Sequence, residues 1–119
     1  MSGGDQKDRV RLAATIARQA LEQLLREAKD GLSDEARADL LLALYDDVDP
    51  SASVLGRLGD VLNQVAEPLR AVDDEDLEDA ACQLDEAAGY IHDSAGSRLD
   101  RARATLVDRA DQYGQEEGT

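Results

Sequence analysis

The chain has no phenylalanine and no tryptophan, one cysteine, one histidine and two prolines among its 119 residues. With aromatics reduced to three tyrosines, a core has to be built from Ala and Leu with some Val and Ile. Alanine removes little area from water but lets helices approach closely. Long, tight helix packing is therefore expected, with self-association as a way to bury more surface. The lone Cys82 rules out an intramolecular disulfide. It neighbours Ala81 on a helical pattern, which predicts a small, partly buried hydrophobe. No stretch approaches the ~18 apolar residues of a membrane span. Residues 1–6 also lack the basic and apolar regions of a signal peptide. A cytoplasmic protein without membrane contact is the expectation.

Lysine is scarce too, confined to Lys7 and Lys29, while acids are in excess: 27 Asp and Glu against 13 Lys and Arg, a net charge of −14. Such a charge favours solubility and repels anions, so direct nucleic-acid binding is not expected. The preference for Asp over Glu and Arg over Lys fits a GC-rich genome or a salt-rich cytoplasm. The charge is unevenly spread. Residues 1–46 hold nine acids and seven bases, residues 47–97 hold thirteen acids with only Arg57 and Arg70, and residues 98–119 hold five acids and four bases.

What the chain does contain is helical periodicity. Val10, Ala14, Ala17, Leu21, Leu24 and Ala28 step by four and three, the spacing of one helix face, and Leu12, Ile16 and Leu25 widen it. This predicts a first helix from about Asp5 or Lys7 to Asp30, closed by Gly31. Ser33 reads as the cap of a second helix reaching about Asp46, with Asp34 and Glu35 in its first turn. The run Leu40 to Leu44 is apolar nearly all round and is expected to be the most buried segment or a partner surface. Pro50 marks a new start, with Asp49 or Ser51 as its cap. Leu55, Leu58, Leu62, Val65, Leu69 and Val72 predict a third helix with one seam. Gly56 and Gly59 permit close approach, and Pro68 is expected to kink or split it.

The last helix is the longest. After a cap at Asp73 or Asp74, Leu77, Ala81, Leu84, Ala88, Ile91, Ala95, Leu99, Ala102, Leu106, Ala110 and Tyr113 form a single stripe. Two consecutive steps of four at Ile91, Ala95 and Leu99 predict a local change of winding without a stop. A break near Gly96, giving five helices, is the alternative. The sequence thus predicts an all-α protein, an antiparallel bundle of four or five helices with a long C-terminal helix. Residues 5–113 form its single domain, residues 1–4 are expected to be disordered, and residues 114–119 a flexible acidic tail.

Candidate chemistry is sparse. His92 lacks a Glu-x-x-His partner and reads as a satisfied or exposed helical residue. Asp46, Asp47, Asp49, Ser51, Ser53 and Asp60 faintly follow a calcium loop, but Val54 stands where its glycine belongs and Asp60 where its glutamate belongs. An acidic capping turn is the better reading. Glu75, Glu78 and Asp79 resemble the Glu-x-x-Glu-Asp element with which helical nucleotide pyrophosphohydrolases hold Mg²⁺. That resemblance implies a metal-dependent nucleotide hydrolase, yet a second acidic pair is not visible. No Gly-rich phosphate loop, Cys-x-x-Cys pair or Ser/His/Asp arrangement is present. No catalytic group, metal or cofactor is therefore expected.

The reading favoured by the residues is a non-enzymatic protein–protein interaction module. Leu41, Leu44, Leu77, Leu84, Ile91, Leu99 and Leu106 would carry its core or interface. Its partner would be another protein, with a second copy of the chain the first candidate. The alternative rests on the acidic block Asp73, Asp74, Glu75, Asp76, Glu78, Asp79, Asp85 and Glu86. Carboxylates arrayed on a helix imitate duplex phosphates, which would make the chain a nucleic-acid mimic that inhibits a DNA-binding protein.

Overall fold

A computed structural model describes residues 3–117, with side chains from Gly4 to Gln112, and every regular element in that range is helical. Five α-helices follow one another: α1 (Gly3–Asp30), α2 (Asp34–Leu44), α3 (Val54–Arg70), α4 (Glu75–Tyr90) and α5 (Ser97–Glu117). A short 3₁₀ turn, Pro50–Ala52, precedes α3, and a π-helical segment, Ile91–Gly96, joins α4 to α5. Among the described residues no helix is long and apolar enough to cross a membrane. Two compact units emerge, Met1–Ser33 and Asp34–Thr119.

The first unit is α1, a 28-residue helix about 42 Å long at 1.5 Å per residue. It starts at Gly3, slightly ahead of the predicted Asp5 or Lys7, and Met1 and Ser2 lie outside the described residues. Gly31 ends it with φ of +97°, in the left-handed region that a side chain disfavours. Its outer face carries the Arg18–Glu22 ion pair at 2.6 Å, one helical turn apart. Its large apolar residues Val10, Leu12, Ile16, Leu21 and Leu25 are between 46% and 67% exposed.

In the second unit α3 packs on α4 and α2 packs on α5. Helices α4 and α5 are one rod, helical from Glu75 to Glu117, so the last helix is unbroken at Gly96. Both shorter helices run antiparallel to it. Arg109 of α5 meets Asp34 at the start of α2 (3.3 Å), while Tyr45, just past the end of α2, meets His92 and Gly96. Arg70 at the end of α3 pairs with Asp85. The inner positions of the rod are Leu77, Ala81, Leu84, Ala88, His92, Gly96, Leu99, Arg103, Leu106 and Ala110, each buried or half-buried. The steps of four therefore fall at Ala88, His92 and Gly96, not at Ile91, Ala95 and Leu99. The physical reason is the π segment, whose wider turn takes up one extra residue. Ala95 within it and Ala102 beyond it are exposed to solvent. Tyr113, the last residue of the predicted stripe, lies outside the described side chains. So does the predicted tail; its backbone continues α5 to Glu117, and the last two residues lie outside the described residues.

Side-chain caps fix the starts of α3 and α4. Asp74 accepts hydrogen bonds from the amides of Asp76 (2.9 Å) and Leu77 (3.4 Å) at the start of α4. Ser53, not Asp49 or Ser51, caps α3: its hydroxyl accepts from the Gly56 amide at 3.2 Å and donates to the Pro50 carbonyl at 2.6 Å. Pro50 starts the 3₁₀ turn instead. Pro68 does not split α3, which continues to Arg70. It sits in the last turn, where the hydrogen bond it removes is the one that the exposed residue Gln64 would otherwise accept.

Candidate docking surface on the third helix

The core that positions α3 is made of small residues. Ala38, Ala66, Ala81 and Ala88 are buried, and among the described residues the one large buried side chain is Tyr45, 5% exposed. The run Leu40 to Leu44, expected to be the most buried, is half-buried at its leucines and exposed at Ala43. The rod presents too few large side chains to enclose four leucines, so burial concentrates on the flanking Ala38 and Tyr45.

Tyr45 forms the joint where α2, α3 and the rod meet. Its hydroxyl and His92 Nδ1 share a hydrogen bond at 3.3 Å, and the two rings meet edge to face with centroids 5.9 Å apart. Gly96 leaves room for the tyrosine ring, since a Cβ there would stand 2.6 Å from it. Gly59 likewise leaves room for His92, at 2.9 Å from Nε2. Desolvation, reinforced by the negative charges of Asp47, Asp93 and Asp100, holds the Tyr45 hydroxyl above its ordinary range. The group therefore stays neutral and available as a donor. His92 is thus a satisfied helical residue, as its sequence context indicates.

A second close contact fixes the start of α3. A Cβ on Gly56 would fall inside the carbonyl of Pro50, a backbone group that no rotamer change moves aside. The acidic turn before it closes on itself. Asp46 accepts from the amides of Val48 (2.9 Å) and Asp49 (3.3 Å), and Asp60 accepts from Ser51 (2.8 Å) and Arg57 (3.3 Å). These residues serve as caps and tethers.

With α3 held in this way, its apolar arc proves wider than its neighbour covers. The predicted seam divides in two. Leu55, Leu62 and Leu69 are half-buried together with the buried Gly59 and Ala66, whereas Leu58, Val65 and Val72 are exposed. With Val54 and Val61, the exposed set forms a second stripe: Val54, Leu58, Val61 and Val65, stepping four, three and four, between 42% and 56% exposed. A shallow groove along it is lined by Arg57, Asp60, Val61, Gln64 and Val65. The signal was present in the sequence, since α3 carries apolar residues at 54, 55, 58, 61, 62 and 65, more than one helix partner covers.

The remaining predicted positions are placed as follows. Leu41, Leu44, Leu77, Leu84, Ile91, Leu99 and Leu106 are all half-buried, the last five along one rod and the first two on α2. Asp73, Asp74, Glu75, Asp76, Glu78, Asp79, Asp85 and Glu86 are all exposed. Of these Asp74 is engaged as a cap and Asp85 as the partner of Arg70. Among the described residues no three His, Cys, Asp or Glu side chains converge as a metal ion would require, Glu75, Glu78 and Asp79 included. Cys82 is exposed, contrary to the partly buried position expected from its neighbour Ala81, because the rod turns only Ala81 toward α3. Compared with family models, curated proteins and solved structures, the chain matches none.

Proposed function

We propose that the chain is a non-enzymatic, cytoplasmic interaction module that binds another polypeptide by helix docking on α3. The observation that carries this reading is the exposed stripe Val54, Leu58, Val61 and Val65 beside a face already packed on α4. Its steps of four, three and four are those of a seam that receives a second helix. Covering such residues removes apolar area from water at about 25 cal/mol per Å². The scaffold supports the reading as well: the glycine contacts at Pro50 and His92 hold α3 at fixed positions, so the stripe is presented by a rigid element.

The test places a photo-crosslinking residue at Val61 in the intact chain, expressed in its native host, with a second probe at Asp79 on the acidic face. A protein adduct at position 61 that Leu58→Asp abolishes is the expected result. Position 79 should give none that depends on Leu58. Absence of any protein adduct at position 61, copies of the chain itself included, would refute the proposal.

A further inference from the structure

The docking stripe has a complement in the chain itself. The seam of α1 opens with Val10, Ala14, Ala17 and Leu21, which step four, three and four, the same pattern as Val54, Leu58, Val61 and Val65. Laid antiparallel, the two sets pair in one register: Val10 with Val65, Ala14 with Val61, Ala17 with Leu58, and Leu21 with Val54. Small alanines then face the two central large residues and large residues close both ends, which is how facing helix positions interdigitate. Charge selects that direction. The first turns of α1 hold Lys7, Arg9 and Arg11 against Asp5 and Asp8. In this register they lie toward the end of α3 that is followed by Asp73, Asp74, Glu75 and Asp76. The antiparallel arrangement also opposes the two helix dipoles favourably.

Pairing α3 with α3 of another copy has no such complement, because it brings two strongly acidic units together. Residues 34–119 hold 22 acids and seven bases, whereas residues 1–33 hold five acids and six bases. We infer that the stripe of one copy is covered by α1 of a second copy, reciprocally, in a closed two-fold dimer. The inference rests on the docking reading above and names its partner.

Leu21 and Val61 are both exposed, so Leu21→Asp and Val61→Asp alter the seam without entering a packed core. In sedimentation equilibrium over a wide concentration range the full chain should dimerise, and each variant alone should associate at least about tenfold more weakly. Mixed together the two variants should recover a heterodimer, since intact α1 of the Val61 variant meets an intact stripe on the Leu21 variant. Leu21→Gln, of similar helix propensity to leucine, replaces Leu21→Asp if circular dichroism shows lost helix. Arg9→Glu with Arg11→Glu should weaken the dimer, and Arg26→Glu should weaken it less. A full chain that stays monomeric throughout overturns the inference, as does a dimer that only one of the two substitutions disrupts, or a mixture that fails to recover. An adduct of Val61 with a different protein, from a chain that is monomeric, would sink this inference alone and leave the docking reading standing.

Discussion

Residues 1–33 carry six bases and five acids; residues 34–119 carry seven and 22. The contrast in packing is as sharp. In α1 every large apolar residue except Leu24 is at least 46% exposed, while the rod and its two antiparallel helices bury alanines, glycines and one tyrosine. One region is an amphipathic helix whose oily face lies open. The other is a thin, acidic two-layer body in which small residues replace bulk with proximity. An isolated helix is marginal in water because its stability comes mostly from packing of the apolar face. The body derives its stability from close backbone approach, which tolerates no added atom at a few positions.

The comparison is most directly sharpened by hydrogen exchange at concentrations where the chain is monomeric. Amides of α1 should exchange on the order of 100-fold faster than those around Ala66, Ala81 and Ala88. Equal protection in the two regions would break the contrast. Next in size is Gly56→Ala, which forces a methyl group into the Pro50 carbonyl and should destabilise the body by about 3 kcal/mol in chemical denaturation. Gly96→Ala, meeting the Tyr45 ring, should cost about 2 kcal/mol. The control Gly89→Ala, where an added Cβ meets nothing within 4 Å, should instead stabilise by up to about 1 kcal/mol. If all three glycine variants unfold at the same denaturant concentration, the close-approach account fails.

A smaller effect concerns pH. The folded Tyr45 hydroxyl titrates above the ordinary value of 10.0, so folding favours the neutral phenol. The resulting stability is complete below pH 10 and declines as pH rises through the folded value. Wild type should lose stability in strongly alkaline buffer relative to Tyr45→Phe, which at neutral pH is weaker by about 1 kcal/mol for want of the bond to His92. A constant difference between the two from neutral to alkaline pH would contradict the shift. Smallest is the response to salt. Screening the self-repulsion of the acidic body should raise its stability by about 0.5 kcal/mol between low and high ionic strength. A decrease would mean that attractive pairs such as Arg109–Asp34 outweigh the repulsion.

Much of this was legible in the residues. The all-α class, the Gly31 stop, the Asp74 cap and the continuity of the last helix all follow from local signals with a direct physical cause. The errors share another origin. Pro50 announces a helical start and so hides Ser53 as the α3 cap; only the folded turn shows that a 3₁₀ segment intervenes. Pro68 predicts a break, yet a proline two residues before a helix end removes very little. The apolar spacing of α3 predicts a single seam where the fold has two stripes, because periodicity gives the direction of apolar residues without saying how many neighbours share them. Tyr45 stands outside every stripe, and its role comes from Gly59, His92 and Gly96, which no spacing rule joins. As for the docking stripe itself, the residues were visible but their exposure depends on what α4 leaves uncovered.

The π segment at Ile91–Gly96 has a consequence for how the body is built. Each residue advances a regular helix by about 100°, and the wider turn absorbs one surplus residue, so everything beyond it keeps its bearing while the backbone runs on. A continuous shaft can thereby serve two clients from one stripe, α3 on its near half and α2 on its far half. Deleting Ala95 would restore ordinary winding and leave the far half facing α2, whereas deleting a residue outside the segment, such as Asp100, would swing everything beyond it by roughly a quarter turn.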